Sequence, residues 1–197
     1  MTVLVLASAS AARAAILSAA GVSFEVVSSG LDEEPVKARA LARGASCAEI
    51  ADELAGLKAT SVSARRSGLV LGADQTLEVD GRLLNWADDV AALEEQLLAL
   101  RGRWHVLHAA AALAERGEIV WRARNQVRVA IRAFSMSFLA FYIARHGDRL
   151  IGCVGGYQAE AEGAQLIDEI EGDFFSVLGL PLLSVLGELR KRGLLAQ

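Results

Sequence analysis

Val3-Leu4-Val5-Leu6 runs into Ala7-Ser8-Ala9-Ser10-Ala11-Ala12-Arg13, and this stretch decides how the rest of the chain is read. The aliphatic run has the length of a buried strand. It ends in two hydroxyls and an arginine, and helix formers continue from Arg13 to Ala20 until Gly21 stops them. Strand, loop and helix in that order can form an anion site. A helix N-terminus leaves N–H groups unpaired and carries the positive end of the dipole, the serines add donors, and arginine adds a charged fork. The plainer reading of Ser8 and Ser10 is a helix cap. Residues further along the chain distinguish the two.

Outward from that start, helical and strand patterns alternate. Phe24–Val27 reads as a strand. Ser46 and Glu49 have capping-box spacing and open a helix carrying Ile50, Leu54, Leu57 and Val62. Leu69-Val70-Leu71 is a buried-type strand, and Asp80-Gly81 is a hairpin turn closing Thr76–Val79 onto Arg82–Leu84. Asp88 or Asp89 starts a helix with Leu93, Leu97 and Leu100 on one face. Trp104–Leu113 and Ile119–Ile131 alternate as an antiparallel pair around Arg116-Gly117. Ser135 or Ser137 caps a helix through Arg145, and Pro181 starts a C-terminal one. The pattern predicts an α/β protein with a mixed sheet, organised as a single domain over residues 1–197.

Composition excludes several classes. The chain has 197 residues, is 53% hydrophobic and carries a net charge of −4 without a basic block, which speaks against a general nucleic-acid binder. Its apolar runs are too short for a membrane span, and the first is strand-length and lacks a basic lead, so neither a membrane partner nor a secretory signal is expected. Cys47 and Cys153 have no disulfide-framework or zinc spacing, which fits a reducing cytoplasm. An acidic protein that holds a polyanion must do so locally, with a few cations and a metal.

The acids supply candidates. Asp74, in Gly72-Ala73-Asp74-Gln75-Thr76, follows a buried strand. Asp32-Glu33-Glu34 reads as a loop after the second strand, and Lys58 lies late on the long helix. Carboxylates at strand ends suit a hard divalent cation that keeps waters. A metal on phosphate oxygens, a carboxylate to orient water and a lysine to absorb charge are the parts phosphoanhydride hydrolysis needs. Each also has an ordinary reading: Asp74 as a turn residue, the acidic run as solvated surface, Lys58 as a surface side chain. His105 and His108 alternate to opposite strand faces and cannot share a metal, and Cys153 reads as a small buried residue.

Taken in order, several segments resemble the Maf family nearly end to end. They are Leu6-Ala7-Ser8-Ala9-Ser10-x-x-Arg13, Asp32-Glu33, Leu54-Ala55-x-x-Lys58-Ala59, Gly72-Ala73-Asp74-Gln75, Gly155-Gly156-Tyr157-x-x-Glu160-x-x-Gly163, Ile170-x-Gly172-Asp173 and Gly179-Leu180-Pro181-Leu182. The resemblance implies an elongated, twisted mixed sheet with helices, two lobes and a cleft, akin to inosine triphosphate pyrophosphatases. It implies hydrolysis of a nucleoside triphosphate to the monophosphate and pyrophosphate with a divalent metal (Mg, Mn or Co). Apart from the resemblance, the apolar strands and the Trp and Phe content allow a homodimer. Matched by position, Asp74 corresponds to the general base, Glu33 to a metal-linked carboxylate, Lys58 to a phosphate-side lysine, and Ser8, Ser10 and Arg13 to the phosphate loop. Glu33 and Asp74 would hold the metal. Glu160 falls where the family has Glu or Gln near the cleft, and Gln75, where many members have threonine, points to modified or non-standard nucleotides.

The chain also departs from that pattern. Ala11 and Ala12 stand where the family commonly has proline and a further arginine, and Trp86-Ala87 stand where it has Lys-Pro. Losing one charge-stabilising donor can cost ~10²–10³-fold in rate. The sequence places no replacement cation beside Trp86, since Arg82 lies on the preceding strand. The alternative expectation is therefore a weakened nucleotide-binding or regulatory protein.

Overall fold

The opening run folds as a strand, a capped helix and a parallel return strand: β1 (Leu4–Ala7), α1 (Ala11–Ala19) and β2 (Phe24–Val26). The computed structural model describes residues 4–196, so Val3, which the sequence reading placed in β1, lies outside the described residues. Helix α1 begins at Ala11, ahead of the expected Arg13, because Ser10 already caps it by accepting from the Arg13 amide.

Two helices cross back to the sheet, α2 (Glu34–Ala42) and α3 (Cys47–Ser63). The capping box at α3 forms as expected: Ser46 Oγ accepts from the Glu49 amide, and the Glu49 carboxylate accepts from the Ser46 amide. The expected acidic loop is shorter than read, since Glu34 and Pro35 already lie in α2. Strand β3 (Leu69–Val79) corrects a second expectation. Asp74 does not follow a strand but sits in the middle of one, because the ladder to β5 runs unbroken from Val70 to Glu78. Asp80 and Gly81 turn β3 onto β4 (Arg82–Leu84) with φ of 51° and 75°, as a two-residue hairpin turn demands.

Asp89 caps α4 (Val90–Leu100), and the long antiparallel pair is β5 (Trp104–Glu115) with β6 (Glu118–Ile131). Ser135 caps α5 (Met136–Leu150), which outlasts the expected end at Arg145 and leaves His146 inside the helix. Strand β7 (Ile167–Glu171) and the short α6 (Phe174–Val177) were not read from sequence. Helix α7 (Leu182–Lys191) follows Pro181 as expected. No helix among the described residues is long and apolar enough to cross a membrane.

Among the described residues seven strands make one mixed sheet in the order β2-β1-β3-β5-β6-β7, with β4 on β3. Helix α3 covers one face, its Ala51, Ala55 and Ala59 against Ala110, Ala112 and Ala114 of β5. Leu17 of α1 and Val185 and Leu189 of α7 cover the other, against Leu69, Leu71 and Leu113. A further core forms toward the far ends of the long strands, where Leu93, Leu97 and Leu100 of α4 meet Leu77, Leu107, Val127 and Phe134.

One feature of the pairing creates the cleft. On one edge of β3, β1 pairs only as far as Ala7↔Gly72, and β4 begins only at Leu77↔Leu84. Ala73 to Thr76 therefore face a gap on that edge, just past the C-terminal end of a parallel strand. Open α/β sheets place ligands there, because the chain must leave the sheet at that point.

Candidate functional site

A cavity of about 610 Å³ fills this gap, and every site residue singled out from the sequence lines it, from Ser8 to Glu160. That volume is in the range of small-molecule sites. The residues reach it from separate elements, each for a local reason.

The β1–α1 loop serves both readings that the sequence left open. Ser10 caps α1, while Ser8, buried, accepts from the Ser10 amide at 3.2 Å and from Arg13 Nη1 at 3.2 Å. Arg13 is itself buried and donates from Nε to the Gly179 carbonyl at 2.8 Å. Gly179 lies at φ 89°, and a Cβ there would come within 3.2 Å of Arg13 Nε, so the glycine serves both the turn and the arginine. The loop before α7 thus orients the guanidinium of α1.

Lys58 and Asp74 meet because α3 lies almost on the strand. A Cβ on Gly72 would lie 2.2 Å from the Ala55 carbonyl and 2.6 Å from the Ala59 nitrogen, so only glycine permits this approach. Asp74 follows two residues on, on the same face. Lys58, buried, donates to Asp74 Oδ1 and lies 2.6 Å from Glu33 Oε1. One ammonium therefore joins a carboxylate from β3 to one from the start of α2. Burial pushes the Asp74 carboxyl above its ordinary value, while Lys58 and Arg13 pull it back and Glu33 adds to the rise.

Gln75 points elsewhere. Its Nε2 donates to the Ser176 and Val177 carbonyls at 2.8 and 3.1 Å, which ties β3 to the end of α6. Asp173, in the Ile170–Asp173 motif, caps that helix through the Phe175 and Ser176 amides. Glu160 lies exposed at the rim. Tyr157 lines the inner wall, its hydroxyl 2.7 Å from His105 Nε2. His108 pairs instead with Glu78, so the two imidazoles do face apart as expected. Cys153, read from the sequence as a small buried residue, is only half-buried, and burial raises its thiol above the ordinary value.

The wall at Trp86 overturns one expectation. A cation does stand beside it: Lys37 Nζ lies 3.5 Å from the centre of the Trp86 ring. Sequence reasoning missed Lys37 because it missed α2. The signals were present, namely Pro35 in a first helical turn and the i, i+4 spacing of Glu33 and Lys37. It also missed Arg149 of α5, which reaches the same cavity and carries no local motif.

Among the described residues, no group of three or more His, Cys, Asp or Glu side chains is arranged to hold a metal. The donors present are the Glu33 and Asp74 carboxylates, drawn together by Lys58. This hard-oxygen pair fits a divalent cation that is completed by waters and substrate phosphates, rather than one caged by protein alone.

These features define a class: a mixed α/β protein whose sheet carries, in a gap beside one strand, a buried cluster of alternating charges. The description of Maf-like proteins matches residues 3–192, and the chain belongs to the Maf family. It is 47% identical over 195 residues to a nucleoside triphosphate pyrophosphatase of Caulobacter vibrioides, covering 99% of this chain and 98% of that protein. It is 45% identical to a nucleoside triphosphate pyrophosphatase of Ruegeria pomeroyi, over 99% of both chains. To a 7-methyl-GTP pyrophosphatase of Rhizobium meliloti it is 40% identical, over 96% of each. A solved HAM1 protein from Coxiella burnetii aligns more loosely, with a TM-score of 0.45 and 17% identity over 68% of this chain and 75% of that one.

Proposed function

We propose that this chain hydrolyses nucleoside triphosphates to the monophosphate and pyrophosphate, with modified or non-standard bases as the preferred substrates. The observation that carries the reading is the Lys58 ammonium held between Glu33 and Asp74, in a cleft shared with the Ser8–Arg13 loop. Maf-family membership over nearly the whole chain supports it.

In this mechanism Ser8, Ser10 and Arg13 hold the triphosphate at the N-terminal end of α1, where the helix dipole and a buried guanidinium favour anions. Lys58 engages Oδ1 of Asp74, and Oδ2 accepts a proton from the attacking water. The hydrogen bond from Lys58 orients the Asp74 carboxylate so that its second oxygen is free to act as the base. Water oxygen bonds to the α-phosphorus, the bond from that phosphorus to the α–β bridging oxygen breaks, and pyrophosphate leaves with the negative charge. Glu33 and Asp74 would hold a divalent cation, which when bound neutralises phosphate charge. Gln75 fixes the α6 end of the cleft, Glu160 and Tyr157 face the base side, and both 7-methyl-GTP and nucleoside triphosphate pyrophosphatases among the relatives are consistent with a nucleotide there.

Pyrophosphate release from a panel of ordinary and methylated nucleoside triphosphates, with Mg²⁺, Mn²⁺ or Co²⁺, tests this. The expected result is metal-dependent release, reduced about 10²–10⁴-fold in Asp74→Asn. Release unaffected by that substitution would remove Asp74 as the base. Absence of release from every nucleotide would refute the activity.

A further inference from the structure

Among the described residues Lys37 is a buried cation to which the proposed reaction gives no part. It projects from α2, its side chain is 6% exposed, and it does not itself line the cavity. Burying an ammonium is costly unless it is paired, so its partners indicate what it is placed to do. Its Nζ lies 2.9 Å from Glu34 Oε1, 3.8 Å from Glu33 Oε2 and 3.5 Å from the centre of the Trp86 ring. Glu33 is thus approached by a lysine at each oxygen, Lys58 at Oε1 and Lys37 at Oε2. Trp86, half-buried, lines the cleft with Lys37 against its ring face.

The result is a row of alternating charges from β3 to α2: Asp74, Lys58, Glu33, Lys37. Lys58 grips one oxygen of Glu33 at 2.6 Å, while Lys37, hydrogen-bonded to Glu34, draws the other by charge from 3.8 Å and so biases how the carboxylate turns about its last bond. The indole face accepts the ammonium through its quadrupole and shields it from water, so the cation acts at closer to full strength on Glu33. We propose that Lys37, seated on Trp86, is a positioning residue for the site: from α2 it steadies Glu33, the carboxylate that Lys58 joins to Asp74.

The proposal rests on the pyrophosphatase reading, and its test separates the two. Pyrophosphate release and thermal midpoint are measured for the unaltered chain, Lys37→Met, Lys37→Arg, Trp86→Leu and the Lys37→Met/Trp86→Leu double variant. Lys37→Met is expected to lower kcat at least 10-fold with KM within about threefold, and Lys37→Arg to recover most of that loss. Trp86→Leu is expected to lower kcat in the same direction, with the double variant no worse than Lys37→Met, because ring and ammonium act as one unit. The proposal is overturned if Lys37→Met leaves kcat within twofold, if the two substitutions multiply, or if every loss of rate follows the fall in thermal midpoint. If Lys37→Met does not fold, Trp86→Phe and Trp86→Leu decide. Rate retained by the aromatic ring and lost with leucine supports the seat, and equal rates overturn it.

If the unaltered chain releases no pyrophosphate, the activity reading fails on its own. The same variants are then compared for Mn²⁺ affinity by calorimetry, because Glu33 is one of the two carboxylates that would hold the cation. Weakening beyond threefold in Lys37→Met supports the positioning role, and unchanged Mn²⁺ affinity overturns it.

Discussion

Gly72→Ala tests whether the approach of α3 to β3 is what builds the site. The new Cβ would sit 2.2 Å from the Ala55 carbonyl oxygen and 2.6 Å from the Ala59 nitrogen, both backbone atoms that no rotamer change can move. Restoring ordinary contact near 3.4 Å from 2.2 Å requires α3 to retreat by about 1.2 Å. Overpacking of this kind costs about 1–3 kcal/mol, which lowers the thermal midpoint of a chain this size by roughly 2–12 °C. The larger effect falls on chemistry. Lys58 travels with α3 while Asp74 stays on β3, and a misplacement of ~1 Å can cost ~10²-fold in rate. The assay is pyrophosphate release below the unfolding transition, beside Gly187→Ala in α7, where nothing stands within 4 Å of the new methyl. A folded Gly72→Ala chain with kcat within threefold of the unaltered one would refute the reasoning.

Two further outcomes follow from buried charges. His105 is buried with its value lowered by that burial from 6.5 to about 4, so the fold favours its neutral form. That contribution is fully present above pH 6.5 and is lost as pH falls toward 4; between pH 7 and pH 5 it removes about 2 kcal/mol. Denaturant unfolding at both pH values should show the gap between the unaltered chain and His105→Gln narrowing by that amount, and a constant gap would contradict it. Arg13→Gln should lower kcat/KM ~10²–10³-fold, since it removes the charged donor between Ser8 and Gly179, and steady-state kinetics with a substrate from the panel would check it.

Much of this protein follows from local rules. The Ser10 cap, the Ser46–Glu49 capping box, the Asp80-Gly81 turn and the alternation of β5 and β6 depend on neighbours a few residues apart, and the chain states them directly. The site residues were legible for another reason: their types and order resemble a family pattern, and the cavity gathers them. What the sequence left open is what depends on distant partners. Asp74 reads as a strand-end residue from its neighbours, yet pairing with β5 carries the strand straight through it. Strand β7 is half-exposed and mostly charged, and it exists because β6 offers an edge. Trp86 reads as a lost cation along the chain, while the fold sets Lys37 on its ring from α2. Residue type and local spacing determined which groups this protein carries. Only the tertiary structure decided which charges share a dry space, because Coulomb pairing and desolvation depend on distance through space rather than along the chain.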